Sequence, residues 1–155
     1  MTGNLFHKAI IGTMPYLPRG LVWRFSRRYI AGTSLADAYR AVRALNDIGC
    51  TGTIDVLGED ITNAEQVAAA LALYREALDG IRDARLDCGI SVKLSELGLR
   101  IDEDGCRGAM HELLDSTRDH DNFVRIDMED SSVTDVTLDI YREMRRDYER
   151  VGAVI

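Results

Sequence analysis

Three short apolar segments of the chain each carry a charged residue near their end. Asp55 lies in residues 53–57, Lys93 in residues 90–94 and Asp127 in residues 123–128. In each segment the charged residue alternates with apolar neighbours, which is the pattern of a β-strand with one apolar and one polar face. We therefore expect the three charges to share the polar face of one sheet, where they would be costly as mere packing.

A lysine between carboxylates can serve two kinds of chemistry. Kept charged, Lys93 would bind the carboxylate of a small acidic or zwitterionic substrate. With a lowered pKa it would instead form a Schiff base with a carbonyl compound, as aldolase-type barrels do. Asp55, Glu59 and Asp127 supply nearby carboxylates, and close carboxylates raise the pKa of a lysine. The sequence favours the binding role and leaves a lysine Schiff-base aldolase as the alternative.

Helical patterns alternate with these strands from residue 34 onward. Ser34 with Asp37 predicts the start of a first helix, and the capping box Thr62-x-x-Glu65 predicts a second. A third, weaker helix follows, a fourth begins near Ser131 or Ser132, and residues 151–155 predict a last strand. The side chains expected to face inward from the helices are Leu35, Ala38, Val42, Leu45, Val67, Leu71, Tyr74, Leu78, Ile81, Cys106, Met110, Leu113, Leu114, Val133, Val136, Ile140 and Met144.

Strands that recur at the length of one strand-plus-helix unit predict a parallel α/β fold. Asp55 and Lys93 are 38 residues apart, and Lys93 and Asp127 are 34 apart. An open doubly wound sheet is covered by helices on both faces and needs strands that are apolar throughout. These strands are apolar on one face only, which favours the (β/α)8 TIM-barrel family, with helices outside and a ligand within. In that fold the carboxyl ends of the strands build the active site.

Charge divides the chain into a basic arm, residues 1–33, and an acidic remainder. The arm contains five basic residues and no acidic one, although the whole chain has a net charge of −7. Pro18 and the apolar residues after it predict a helix in the arm. We expect this helix to pack on its own domain, with peripheral membrane contact as the alternative, and we expect no nucleic-acid partner because the acidic remainder repels phosphate.

Other patterns narrow the class of protein. No apolar run is long enough to span a membrane and no signal-peptide pattern occurs, so we expect a cytoplasmic protein, with the arm as a candidate for contact with the inner face of the membrane. The three cysteines and three histidines are scattered, and no metal site is expected. Neither a Walker loop nor Gly-x-Gly-x-x-Gly is present, so a Rossmann nucleotide site has no support.

The charged segments and the residues that follow them resemble a known family. They read Asp55-Val-Leu-Gly-Glu59, then Ser91-Val-Lys-Leu-Ser95 with Glu96-Leu-Gly-Leu99, then Val124-Arg-Ile-Asp-Met-Glu-Asp-Ser131. In this order and spacing they resemble the first three barrel strands of proline dehydrogenase. The stretch Arg27-Arg28-Tyr-Ile-Ala-Gly32 resembles the entry into that family's barrel.

The resemblance implies an enzyme that uses FAD to oxidise L-proline to pyrroline-5-carboxylate and passes the electrons to a quinone. By the same resemblance, Lys93 contacts the substrate carboxylate, and Asp127 and Met128 lie at the flavin. Glu59 matches a glutamate that closes the site over substrate, and Asp55 belongs to the same polar cluster. The flavin performs the redox step, and the protein contributes positioning and electrostatics.

The resemblance also implies a larger barrel than the strands found in this sequence. We expect residues 34–155 to form about four β/α units, the first half of an eight-stranded barrel, and so to be a truncated domain. Most FAD contacts would come from the other half, so the chain alone would bind FAD weakly at best and have little or no proline oxidation activity. A non-catalytic half barrel that self-associates through its open strand edges is the alternative from outside the enzymes.

Overall fold

The computed structural model describes residues 30–58, 61–118 and 122–154, and these residues contain one four-stranded sheet. The strands are β1 (Gly52–Asp55), β2 (Cys88–Lys93), β3 (Val124–Asp127) and β4 (Val151–Val154). All neighbouring pairs are parallel, and their order in the sheet is their order in the chain. The predicted arm helix and Glu59 lie outside the described residues.

A helix precedes each strand. The helices are α1 (Leu35–Asn46), α2 (Ala64–Asp83), α3 (Glu103–Asp115) and α4 (Thr134–Asp147). Because consecutive strands are neighbours throughout, the sheet has no point at which the strand order reverses, as a doubly wound sheet does. This is the arrangement of successive units in a (β/α)8 barrel, and it confirms the predicted α/β fold class.

The hydrophobic core lies between the sheet and the helices. Strand residues at alternate positions, including Ile54, Val92 and Ile126, are buried there against α2, α3 and α4. Buried residues from the helices complete the core; they are Leu71, Tyr74, Ala77, Leu78, Ile81, Cys106, Ala109, Met110, Leu113, Leu114, Ile140 and Met144. The predicted inward stripes of α2, α3 and α4 therefore form the core, with Val67 and Val136 only partly buried at its margin.

The predicted start of α1 is correct, and the predicted starts of α2 and α4 are not. Ser34 caps α1, and its hydroxyl accepts a hydrogen bond from the Asp37 backbone N–H. The predicted capping box of α2 is wrong by one residue, because Asn63 is the cap and its Oδ1 accepts from the Gln66 N–H at 3.0 Å. Since α4 begins at Thr134, after a turn through Ser131 and Ser132, its predicted start is two to three residues early.

One expected core residue lies at the surface. Leu45 on α1 was expected inward with Val42, but it is 41% exposed whereas Val42 is buried. Helix α1 lies beside β1 at the edge of the described sheet, where it contacts β1 and α2. Within the described residues, the last turn of its apolar stripe extends past these two elements. Among the described helices, none is both long and apolar enough to cross a membrane.

Candidate active site at the carboxyl ends of the strands

Parallel pairing brings the three predicted charges together on the face of the sheet opposite the helices. Lys93 pairs in register with Asp127 on β3, and Asp55 on β1 pairs with Ser91, two residues before Lys93. Lys93 Nζ lies 2.6 Å from Asp55 Oδ2 and 3.7 Å from Asp127 Oδ2. The three side chains are 28%, 35% and 28% exposed for Lys93, Asp55 and Asp127, so the cluster is half-buried but open to solvent.

Asp127 is held from a second direction by Ser91. The Ser91 hydroxyl donates to Asp127 Oδ1, and Ser91 itself is buried between β1 and β3. One oxygen of Asp127 thus accepts a hydrogen bond from a neighbouring strand while the other faces the ammonium of Lys93. The carboxylate is fixed in orientation on the polar face.

The electrostatics of Lys93 favour its charged form. Partial burial alone would lower the pKa of Lys93, but the hydrogen bond to Asp55 and the negative charges of Asp55, Asp127 and Glu96 together outweigh it. The net effect is a raised pKa. A Schiff-base lysine needs a neutral amine and a lowered pKa, so the geometry argues against the aldolase alternative.

A cleft of about 420 Å³ opens next to Lys93. Its other walls come from the chain after β1, the turn after β2 and the residue that follows Met128. Its lining residues are Gly58, Ile61, Lys93, Ser95, Glu96, Arg100 and Glu129. The lining thus contains two cationic and two carboxylate side chains at the carboxyl ends of β1, β2 and β3.

Hydrogen bonds join the turn after β2 to the residues after β3 on one side of this cleft. Glu129 accepts from the Ser95 N–H at 3.0 Å and also from the Ser95 hydroxyl. Asp130 forms an ion pair with Arg100 and accepts from the Ser132 N–H at 2.8 Å. Bonds from the hydroxyl and backbone of Ser132, together with the charge of Arg100, lower the pKa of Asp130. Both acids thus have structural partners.

The predicted site residues are placed as follows. Asp55, Lys93 and Asp127 form one cluster, Met128 follows β3 and is half-buried, and Glu59 lies outside the described residues. The roles assigned to all five stay predictions. Two neighbours were not singled out as site residues: Ser91 on Asp127, and the buried carboxylate of Glu96. Ser91 was visible as a polar alternate of β2, whereas no pattern marks Glu96 as buried.

A flavin nucleotide has a flat ring with polar edges and a charged pyrophosphate, and the described residues fit only the first part. Near Asp127 and Met128 they offer a polar, half-buried surface beside the Lys93 ammonium. A pyrophosphate needs cations or free helix amides. At this end of the sheet Arg100 is paired with Asp130, and Arg125 points towards Thr53, away from the carboxyl ends. Within the described residues, no group of His, Cys, Asp and Glu is placed to hold a metal ion.

Comparisons with known proteins assign the family. A family profile described as proline dehydrogenase matches residues 38–155. The chain is 33% identical over 130 residues to proline dehydrogenase 1 of Bacillus subtilis subsp. natto, which covers 84% of this chain and 43% of that protein. It is 28% identical over 165 residues to proline dehydrogenase of Deinococcus radiodurans, which covers 100% of this chain and 53% of that protein. The chain thus spans about half the length of these relatives.

A solved structure shows the same fold. Proline utilization A from Bdellovibrio bacteriovorus, inactivated by N-propargylglycine, superposes with a TM-score of 0.73 at 21% identity, covering 81% of this chain and 16% of that one. The family profile, the relatives and the solved structure agree with one another. The residues that the profile matches include Asp55, Lys93 and Asp127. The chain belongs to the proline dehydrogenase family.

Proposed function

We propose that this chain supplies the substrate-binding side of an FAD-dependent proline dehydrogenase, which oxidises L-proline to pyrroline-5-carboxylate and passes the electrons to a quinone. One observation carries the proposal. In a chain of this family, a lysine is kept cationic between two carboxylates at the carboxyl ends of three adjacent strands. The relatives named above are proline dehydrogenases, and they support the choice of substrate.

Lys93 binds the proline carboxylate in this proposal. Its Nζ donates to Asp55 at 2.6 Å, whereas Asp127 Oδ2, at 3.7 Å, is beyond a good hydrogen bond. An ammonium has three N–H donors and Asp55 accepts from one of them, so donors remain for an incoming carboxylate. Asp55 keeps the lysine charged while substrate exchanges, and Asp127 faces the ring nitrogen of proline or the flavin.

The remaining assignments are part of the same proposal. FAD, when bound, would supply the oxidising group: it would take up one hydride, which carries both electrons, from the ring CH2 next to nitrogen, while the ring nitrogen gives up a proton. Met128 lines the flavin surface, and Glu59 helps to enclose the substrate. Further β/α units complete the barrel and hold the pyrophosphate, because the sheet described is open at β1 and β4. Contact of the basic arm with a membrane and self-association through the strand edges are secondary proposals.

A chimera tests the enzymatic function. The matched segment of the Bacillus subtilis relative is replaced by the corresponding residues of this chain, and the purified product is assayed for flavin absorbance and for proline-dependent dye reduction. We expect a flavoprotein that oxidises proline. Lys93→Met should lower kcat/KM about 10- to 100-fold, mainly by raising KM, because it removes a charged hydrogen bond to the substrate.

Arg125→Ala is the matched control, since Arg125 lies on the same face but contacts Thr53 at 3.4 Å and not the cluster. Its chimera should keep the kinetics of the parent. A folded, flavin-containing chimera without proline oxidation would contradict the proposed function. An unchanged KM in the Lys93→Met chimera would contradict the role of Lys93.

A further inference from the structure

The turn after β2 contains a buried carboxylate that the proposed chemistry does not use. Glu96 is only 5% exposed, whereas the acids of the Lys93 cluster are open to solvent. A charged carboxylate is removed from water at high cost unless hydrogen-bond donors replace the water. The partners of Glu96 therefore indicate what its burial achieves.

Three parts of the chain meet at this side chain. The Gly58 N–H, just after β1, donates to Glu96 Oε1 at 2.8 Å. The buried Tyr74 hydroxyl, on α2, contacts Glu96 Oε2 as donor and also lies 3.4 Å from the carbonyl oxygen of Val56. Both carboxylate oxygens are thus satisfied, one by the chain leaving β1 and one by the helix beneath it.

A side chain at position 58 would crowd this contact. A Cβ at Gly58 would lie 3.2 Å from Glu96 Oε1 and 3.3 Å from its carboxyl carbon. That is closer than an unstrained contact, so glycine admits the carboxylate to the backbone N–H without displacement. The fit between Gly58 and Glu96 is a specific feature of this end of the sheet.

Glu96 is also tied to Lys93. Its backbone N–H donates to the Lys93 carbonyl oxygen at 3.0 Å, and Gly58, Lys93 and Glu96 line the same cleft. Glu96 thus connects two walls of the cleft. Its backbone contacts Lys93 at the end of β2, and its side chain contacts Gly58 after β1.

We propose that Glu96 is a positioning residue of the candidate site: with Tyr74, its carboxylate fixes the chain after β1 against the turn after β2 and so sets the wall of the cleft beside Lys93. That the cleft binds substrate rests on the proposed function. The positioning itself does not, and it is tested without proline or flavin.

The test uses nuclear magnetic resonance on the 155-residue chain labelled with ¹⁵N and with ¹³C at lysine Cε. Lys8 and Lys93 are the two lysines of the chain, so the side-chain spectrum is simple to assign. Amide hydrogen exchange is followed at Gly58 and at Ile126, and the Lys93 signal is titrated with pH. The variants are Glu96→Ala, Glu96→Gln and, as a matched control at an exposed acid on α3, Glu112→Gln.

We expect Glu96→Ala to speed exchange at Gly58 at least about tenfold more than at Ile126, because only the first amide loses its acceptor. Glu96→Gln retains an oxygen acceptor and should restore the protection of Gly58. It removes the negative charge, however. Burial lowers the pKa of Lys93, and the charge of Glu96 adds to those of Asp55 and Asp127 in raising it. The pKa of Lys93 should therefore fall in both Glu96 variants and stay unchanged in Glu112→Gln.

Equal acceleration at Gly58 and Ile126 in Glu96→Ala would show a general loss of stability and would overturn the proposal. Failure of Glu96→Gln to protect Gly58 would overturn it as well. If Glu96→Ala does not fold, the isosteric Glu96→Gln still decides, since faster amide exchange at Gly58 with unchanged exchange at Ile126 would contradict the positioning role of the Glu96 side chain. None of these results depends on whether the chimera oxidises proline.

Discussion

The two faces of the sheet are built from the same four strands and differ in almost every physical respect. On the helix side, Ile90, Val92 and Ile126 are fully buried among apolar neighbours. On the opposite side, Ser91, Lys93 and Asp127 are joined by hydrogen bonds and ion contacts that stay partly open to solvent. Each residue of one set is next to a residue of the other in the chain.

The difference shows how the fold separates stability from chemistry. Burial of apolar area against α2, α3 and α4 is the main favourable contribution to folding, and among the described residues it comes from the helix side of the sheet. The other face can therefore hold charges that would destabilise a core. Variants placed on the two faces should separate these contributions.

The largest expected effect belongs to the helix side. Ile126→Ala truncates a fully buried side chain on β3 and should lower the free energy of unfolding by about 3 kcal/mol. The loss combines the apolar surface that is no longer buried with a cavity that the neighbouring side chains fill only in part. Urea unfolding followed by circular dichroism measures it. Arg125→Ala, one residue away on the polar face, is the control and should cost less than about 1 kcal/mol. Equal losses would mean that the faces are not energetically distinct.

A smaller loss is expected where the two sides meet. Tyr74 belongs to the core, but its hydroxyl reaches the carboxylate of Glu96. Tyr74→Phe keeps the ring and leaves a buried charge with one donor fewer, so we expect about 2 kcal/mol of destabilisation. Thermal unfolding measures the stability of Tyr74→Phe, and Tyr141→Phe on α4 is the control. A loss no larger than that of the control would show that the hydroxyl contributes nothing.

The charge cluster itself should matter less to stability, and its effect should depend on pH. Lys93→Met leaves Asp55 and Asp127 without their shared cation, and we expect a loss of about 1 kcal/mol at pH 7, because the groups are partly exposed. The pKa of Lys93 is raised in the folded chain. Its stabilisation is therefore complete below 10.5, the ordinary value, and disappears as pH rises through the folded-state pKa.

Unfolding free energies of the parent and of Lys93→Met, measured from pH 7 to the alkaline limit of reversibility, check this sign. The difference between the two proteins should stay constant up to about pH 10 and then shrink. A difference that grows with pH would mean that the lysine is stabilised in its neutral form.

The smallest effect is expected at an apolar residue on the polar side. Leu57 follows β1 and is 79% exposed, so it adds little to the core despite its type. Leu57→Ser should change the free energy of unfolding by no more than about 0.5 kcal/mol. A loss above 1 kcal/mol in denaturant titration would show that the polar face buries apolar surface after all.

Period and spacing were sufficient to predict the fold class and the three charges of the cluster. Alternation in the strands placed Asp55, Lys93 and Asp127 on one face, and parallel pairing then brought them within contact distance. Leu45 was misplaced because a periodic stripe shows which face is apolar but not how far the neighbouring layer extends. The α2 cap was misplaced because Thr62 and Asn63 both suit that position.

The parts of the site that could not be predicted depend on contacts between distant residues. Glu96 lies in a turn between the buried Leu94 and Leu97, but a glutamate is a residue type that is expected at the surface. Its burial follows from Tyr74 on α2 and from the close approach allowed by Gly58. Ser91 is a small polar residue on a strand, and only the register with β3 shows that it holds Asp127.

The sequential strand order has a consequence for how the protein forms. Each described strand pairs with its neighbours in chain order, so growth of this part of the sheet does not require a distant segment. Folding can therefore follow synthesis from the ribosome, one unit after another. Asp55, Lys93 and Asp127 lie on the first three of the described strands, so the charge cluster can form once β3 has docked, before α4 packs on the sheet. In this chain the groups proposed to recognise the substrate are in place before the domain that contains them is finished.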